Sequence, residues 1–127
     1  MPWLIPDAHA QAVEAAREIV LRRLDRSAAP RAALAELLER KEVDSRVASE
    51  VLDRLEAAGV IDDTAYAARL ARTRFAEKGA ARRAIAEDLR RKGLGESDVA
   101  EALEQISSED EDSAALVLAR KKLSATS

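Results

Sequence analysis

The sequence predicts an all-α protein made of tandem three-helix repeats. Residues 16–55 align with residues 67–106 at a shift of 51 without a gap, and 12 of the 40 aligned positions are identical. Apolar positions between the identities exchange like for like, as at Leu34 and Ile85. A repeat of this length indicates one supersecondary unit used twice. Because repeat proteins offer a long surface to a large partner, we expect an elongated, curved array of helix-turn-helix-like units.

Composition narrows the class of protein. The 127 residues include one Trp, one Tyr, one Phe and four glycines, so the core must be built from Ala, Leu, Val and Ile. Charged residues make up 35% of the chain, so much of every helix must face water. The absence of cysteine excludes disulfides and the usual structural zinc sites. Because no apolar run reaches the roughly 18 residues of a membrane span and no signal peptide is evident, we expect a soluble, cytoplasmic protein. We also expect it to be a monomer.

The alignment divides the chain into five segments. The last of them rests on a third copy of the pattern, because Leu118–Leu123 resembles Leu70–Phe75 at a spacing of 48. A third repeat is therefore expected to stop after its first helix. The predicted segments are an N-terminal extension with the start of helix one (1–14), repeat 1 (15–61), repeat 2 (62–106), an acidic joint (107–112) and the first helix of the incomplete repeat 3 (113–127).

The helices of repeat 1 follow from apolar spacing and from breakers. Helix one is predicted at about 7–25, with an apolar stripe of Val13, Ala16, Val20 and Leu24. Ser27 is expected in the N-cap region of helix two and Pro30 in its first turn. Helix two runs to about residue 41, and helix three is capped by Asp44 or Ser45 and ends at Gly59, since glycine readily takes the left-handed conformation.

Repeat 2 follows the same plan. Asp62 and Asp63 are expected to cap helix four, helix five starts near Ala80, Gly93 closes it, and helix six covers about 96–106. The side chains predicted to face inward are Tyr66, Leu70, Phe75, Ile85, Leu89, Val99, Leu103 and Ile106.

Charge is distributed unevenly behind a net charge of −3. Residues 69–92 hold nine basic and three acidic side chains, whereas residues 93–112 hold eight acidic side chains and no basic one. Arg69 and Arg72 share one side of helix four, and Arg82 and Arg83 oppose the dipole at the start of helix five. These arginines are therefore candidates for contacting an anionic partner, phosphate or carboxylate. The alternative is a solvated face paired with the acidic stretch.

Catalysis is disfavoured by the residues present. The only histidine, His9, is expected in a frayed N-terminal region. Asp62 and Asp63 directly precede a helix, where carboxylates normally cap rather than form an acid/base pair or a magnesium site. The chain has no glycine-rich phosphate loop, no Gly-x-Ser-x-Gly turn and no His/Cys ligand cluster. We therefore predict a protein that is not an enzyme and that holds no metal or cofactor.

The run from Gly59 to Ala67, Gly-Val-Ile-Asp-Asp-Thr-Ala-Tyr-Ala, resembles the Gly-apolar-apolar-Asp-Asp-x-x-aromatic-Ala signature of the bacterial RecX regulators. Residues further along resemble that family's Arg-x-Ile-x-x-Glu-Leu-x-x-Lys-Gly-Ile run and the arginine and glycine before it; they are Arg74, Gly79, Arg83, Ile85, Asp88, Leu89, Lys92, Gly93 and Leu94. Most members of the family carry a complete third unit.

The resemblance implies an all-helical array that binds the RecA recombinase in its filament on single-stranded DNA. Such a regulator restrains filament growth, ATP hydrolysis, strand exchange and repressor co-cleavage. The residues predicted to contact RecA or the DNA backbone are Arg69, Arg72, Arg74, Arg82 and Arg83. The motif residues predicted to be structural are Gly59, Asp62, Asp63, Tyr66, Ala67, Ile85, Leu89, Lys92 and Gly93.

A nucleic-acid-binding module without sequence preference is the alternative, and it predicts weak, salt-sensitive contact with DNA. Sequence-specific reading by a helix-turn-helix unit is disfavoured by charge. Helix six is acidic and would be repelled by phosphates, and helix three carries four acidic residues beside Arg46 and Arg54.

Overall fold

The computed structural model describes residues 7–78 and 81–107, and these residues form six α-helices and no strand. The predicted all-α helical repeat fold is confirmed. Gly79, Ala80, most of the acidic joint and the helix predicted at 113–127 lie outside the described residues. The helices are α1 (Ala8–Arg26), α2 (Arg31–Arg40), α3 (Ser45–Ala57), α4 (Asp63–Lys78), α5 (Arg82–Arg91) and α6 (96–107).

Aspartate side chains set the starts of α1 and α3. The Asp7 carboxylate accepts a hydrogen bond from the Ala10 amide at 2.6 Å, so Asp7 is the N-cap rather than the first helical residue. Asp44 rather than Ser45 caps α3, accepting from the amide of Arg46 at 2.9 Å. Each cap satisfies an amide that has no partner within its own helix.

The start of α2 differs from the prediction. Ser27 is the C-cap of α1, and its hydroxyl does not cap α2. Pro30 is the N-cap of α2, with extended backbone angles, and it lies just before the first turn rather than within it. Because proline has no polar side chain, the first amide of α2 needs an acceptor from elsewhere in the chain.

Two hydrophobic clusters make up the core, and their members correspond through the repeat. In the first repeat α1 packs against α2 and α3, and in the second α4 packs against α5. Ala16 and its repeat partner Ala67 are both 0% exposed, as are Leu38 and its partner Leu89. The alignment of residues 16–55 with residues 67–106 therefore pairs equivalent buried positions.

The turns after α2 and α5 occupy aligned positions of the two repeats, but they differ in backbone strain. Gly93, after α5, has φ +83°, and the aligned residue after α2 is Glu42, with φ +60°. A side chain in this left-handed region brings Cβ close to the following carbonyl oxygen, at about 1–2 kcal/mol per residue. Repeat 1 therefore holds a strained residue where repeat 2 holds glycine.

Replacing Glu42 by glycine is expected to stabilise the chain. Relief of the left-handed strain is partly offset by the extra freedom of glycine in the unfolded state, leaving a gain of roughly 0.5–1 kcal/mol in the free energy of unfolding. Urea denaturation followed by circular dichroism measures the change. Glu42→Ala is the matched control, because it removes the same exposed side chain and keeps Cβ. An equal gain in both variants would contradict the strain explanation.

Candidate partner-binding surface

The aspartate pair before α4 serves two different helices. Asp62 accepts a hydrogen bond from the Ala65 amide at 3.0 Å and caps α4, as predicted. Asp63 does not cap α4; it is the first residue of that helix, and its Oδ1 accepts from the amide of Arg31 at 2.9 Å. Asp63 thus supplies the cap that Pro30 cannot supply to α2. One repeat completes the helix start of the other.

The pKa of Asp63 is raised above its model-peptide value of 3.8, mainly because burial removes solvation from the carboxylate. The hydrogen bond from the Arg31 amide opposes this change, while the negative charges of Asp98 and Glu56 add to it. The cap between the repeats is therefore made by a carboxylate that is partly withdrawn from water.

Arg31 also joins helices through its side chain. Its guanidinium is 2.7 Å from Asp53 Oδ1 and 2.9 Å from Glu56 Oε2, both on α3. These two hydrogen-bonded carboxylates raise the pKa of Arg31, so it stays charged. Sequence reasoning did not single out Arg31. The alignment offered one indication, since Arg31 and Arg82 are identical at equivalent positions of the two repeats.

A hydroxyl next to the aspartate pair connects the two helix starts of repeat 2. Thr64 Oγ1 donates to Asp98 Oδ1 at 2.6 Å, and Asp98 lies in the first turn of α6. The segment 62–64 thus contacts the starts of α2, α4 and α6. This gives the Asp-Asp motif a structural role, consistent with the prediction.

The arginines predicted to bind a partner divide into two groups. Arg69 and Arg72 are exposed on the side of α4 opposite buried Ala67 and Ala71. The Arg83 side chain is 92% exposed and lies 3.8 Å from Glu87 on its own helix, which makes a weak ion pair. Arg82 is also exposed and forms no ion pair with any of the described residues. These four cations are open to a partner.

Arg74 differs from the other four. Its Nε donates to Asp88 Oδ2 at 3.0 Å, with both side chains about a quarter to a third exposed. The pair connects α4 to α5 within repeat 2. The geometry favours a structural role for Arg74 over contact with a partner.

The remaining motif residues lie in the core or at helix ends. Ala67, Ile85 and Leu89 are buried, and Tyr66 is half-buried against the same cluster. Lys92 is the C-cap of α5, and Gly59 has φ +77° directly after the C-cap of α3.

Gly93 has a second requirement besides its positive φ. A Cβ placed on it would lie 2.4 Å from the Cβ of Ala32, on α2 of the other repeat. The backbone after α5 therefore approaches the start of α2 so closely that no side chain fits between them. This is the second contact, after that of Asp63 with Arg31, that joins the repeats.

Within the described part of the chain, no three His, Cys, Asp or Glu residues are grouped so that they could hold a metal ion, and no helix has the length and apolarity needed to cross a bilayer. His9 lies in the first turn of α1 rather than in a frayed region, and its Nε2 is 2.6 Å from Glu50 Oε2 on α3.

Comparison with known proteins relates this chain to one family. Residues 62–103 match the family model for the second three-helix domain of RecX. Over 111 residues the chain is 40% identical to the regulatory protein RecX of Thermobifida fusca, which covers 87% of this chain and 60% of that protein. Most of the chain thus resembles RecX proteins. RecX of Streptomyces coelicolor is likewise 40% identical, over 114 residues that cover 90% of this chain and 61% of the relative.

Solved RecX structures share the fold. A crystal structure of a regulatory protein RecX superposes with a TM-score of 0.73 at 29% identity, covering 78% of this chain and 49% of that one. RecX from Lactobacillus salivarius gives a TM-score of 0.75 at 20% identity, covering 88% and 73%, and this likeness concerns the fold alone. The present chain spans about three fifths of the length of the RecX proteins from Thermobifida and Streptomyces.

Two substitutions of Asp63 distinguish the effect of its hydrogen bond on stability from the effect of its charge. Asp63→Ala removes the acceptor for the Arg31 amide and should lower the free energy of unfolding by about 1 kcal/mol at neutral pH, the usual effect of losing an N-cap. Asp63→Asn keeps a side-chain oxygen as acceptor and removes the poorly solvated charge. It should therefore be close to the wild type, as measured by urea denaturation.

The pH dependence of the free energy of unfolding shows whether the charge of Asp63 stabilises or destabilises the folded chain. Because the pKa of Asp63 is raised in the folded state, its contribution favours folding below pH 3.8 and is lost as the pH rises through the folded pKa. The free energy of unfolding of Asp63→Asn relative to wild type should therefore increase between pH 3 and pH 7. A relative decrease over this range would show that ionisation of Asp63 stabilises the folded chain.

Gly93→Ala should destabilise the chain by roughly 2–3 kcal/mol, since it adds left-handed strain to a steric clash with Ala32. Ala32→Gly removes the atom that the new methyl group meets. The double variant should therefore recover part of the loss and leave the backbone strain, a coupling that a double-mutant cycle of unfolding free energies measures. Strict additivity of the two substitutions would contradict the close approach of the repeats.

Proposed function

We propose that this chain is a non-enzymatic, cytoplasmic regulator that binds RecA and its filament on single-stranded DNA. Binding restrains filament growth and, with it, ATP hydrolysis, strand exchange and co-protease activity. The observation that carries the proposal is the 40% identity to regulatory RecX proteins over 111 residues, together with the match of residues 62–103 to the second RecX domain.

The exposed arginines of repeat 2 support a binding role for that repeat. Where repeat 2 has Arg69, Arg72 and Arg83, the aligned residues of repeat 1 are Glu18, Leu21 and Ala32. The cations are thus absent from the copy that shares the same core, so the packing of the helices does not require them. Exposed arginines of this kind increase the rate of encounter with an anionic surface and select the partner.

The carboxylates that resemble a catalytic pair support the non-enzymatic reading. Asp62 and Asp63 each accept a backbone amide hydrogen bond, from Ala65 and Arg31. Both groups are engaged in holding helix starts, which is the role that such residues usually have at this position.

The test is the DNA-stimulated ATPase activity of the cognate RecA with added protein. The wild-type chain should inhibit it, and Arg69→Glu with Arg72→Glu should raise the concentration for half-inhibition by about tenfold or more, since two attractive charges become repulsive. The matched control is Arg17→Glu with Arg22→Glu. It makes the same change in net charge on the exposed face of α1, where both arginines lie near glutamates of that helix.

Two results would count against the proposal. Wild-type protein in stoichiometric excess that leaves the ATPase unchanged would remove the regulatory role for this chain. Equal losses in the repeat 2 and repeat 1 variants would show that net charge, rather than the α4 surface, determines binding.

A further inference from the structure

An open groove of about 240 Å³ lies between the two repeats, and neither the resemblance nor the proposed function assigns a role to it. Repeat 1 contributes Arg23, Glu36 and the small residues at the start of α2, while repeat 2 contributes Tyr66, Arg91, Lys92 and Gly93. Three cations and one carboxylate thus line a single groove in a chain whose net charge is −3. Cations from both repeats contribute to this positive lining.

Arg23 has no carboxylate within ion-pair distance among the described residues. Its Nη1 donates to the carbonyl oxygen and to the hydroxyl of Ser27, at 2.9 Å and 3.1 Å, and both acceptors are uncharged. The aligned arginine of repeat 2, Arg74, is paired with Asp88. Repeat 1 has Leu37 at the position of Asp88, so the carboxylate is missing there.

Arg91 and Lys92 are similarly available. The carboxylate recorded next to Arg91 is that of Asp88, at 4.0 Å, and Asp88 already pairs with Arg74 at 3.0 Å. Lys92 forms no ion pair with the residues that the structure describes. By contrast, the nearby Arg90 contacts both carboxylate oxygens of Glu96, at 2.7 Å and 3.2 Å. The groove therefore gathers cations that lack a close partner within the chain.

The walls of the groove suit an anion with several acceptor oxygens. Tyr66 adds an aromatic ring and a phenolic hydroxyl to the lining. Guanidinium groups match phosphate oxygens in geometry. One carboxylate neutralises one cation, as Asp88 does for Arg74, so three cations and one carboxylate leave the groove with a net positive charge.

We propose that the groove between the repeats binds a phosphate group, carried by a nucleic-acid strand or by a free nucleotide. Arg23, Arg91 and Lys92 contact the phosphate, and Tyr66 contacts the sugar or base attached to it. The site requires both repeats in their packed arrangement, because repeat 1 contributes Arg23 to the lining and repeat 2 contributes Arg91 and Lys92. The inference does not depend on RecA, so its failure and that of the proposed function are distinguishable.

Binding is measured by the fluorescence anisotropy of a labelled short oligothymidylate at several salt concentrations, with ATP as a second ligand. Arg91→Gln with Lys92→Gln should weaken oligothymidylate binding by about tenfold or more at low salt. The slope of log affinity against log salt should fall by about 1.4, since each lost contact with a single strand contributes about 0.7.

The matched control is Arg40→Gln with Lys41→Gln. These residues are the aligned pair at the end of α2, with the same charges and the same place at a helix C-terminus, and they do not line this groove. Both variants lose the same favourable interaction with a helix dipole, so their thermal unfolding should agree. An equal weakening of binding in the two variants would overturn the assignment to the groove.

Chemical-shift mapping by NMR locates the ligand independently of mutation. Addition of oligothymidylate or ATP should move the amide signal of Gly93 and the ring signals of Tyr66, and the ligand that does so identifies the source of the phosphate. Shifts confined to the α4 face of Arg69 and Arg72 would overturn the proposal. So would a response of the groove signals to an oligoglutamate peptide but to neither phosphate ligand.

Discussion

The first amide of α2 imposes the constraint on which the arrangement of the two repeats depends. Pro30 precedes this helix and offers no side-chain acceptor, so the amide of Arg31 is satisfied by Asp63, the first residue of α4. Loss of this cap costs about 1 kcal/mol, so the hydrogen bond of the part-buried Arg31 amide favours the placement of repeat 2 that provides it. The carboxylate is itself desolvated at this place, as its raised pKa indicates, and the hydrogen bond partly offsets that cost.

The same placement accounts for features elsewhere in the junction. With Asp63 held at the start of α2, the turn after α5 lies against Ala32, and only glycine fits there. Arg23 of repeat 1 and Arg91 of repeat 2 then line one groove. The outer face of α4, with Arg69 and Arg72, lies on the other side of that helix from its buried alanines. The residues that pack the core and join the repeats are thus distinct from the exposed cations on the outer face of α4.

The features that depend on residues close together in the sequence, such as buried helix faces and the N-caps of α3 and α4, were predicted correctly. Apolar spacing and the alignment of the two repeats predicted which side chains are buried, because equivalent positions of the two repeats have equivalent surroundings. The roles of Asp62 and Asp44 were also predictable, since an N-cap accepts from amides two or three residues away. The contact of Asp63 with Arg31 was not, because 32 residues separate the partners and nothing in a helix-start pattern shows which helix a carboxylate caps. The pairing of Arg74 with Asp88 was missed for the same reason: composition showed a basic stretch, and only packing shows which cations are neutralised.

The contacts of Asp62 and Asp63 restrict the length of the turn between α3 and α4. Residues 58–62 join the repeats, and all of them except the buried Ile61 are exposed, as in turns where chains generally accept insertions at little cost. Here Asp62 must reach its own helix while the next residue, Asp63, reaches α2, so both the length and the direction of the chain are fixed at this point. One residue added between Asp62 and Asp63 would shift the Asp63 carboxylate by about 100° around the axis of α4 relative to the Asp62 cap, given 3.6 residues per turn, and would carry it away from the Arg31 amide. Variation in length among relatives of this chain should therefore be concentrated in other turns, and this one should keep its length even where its side chains differ.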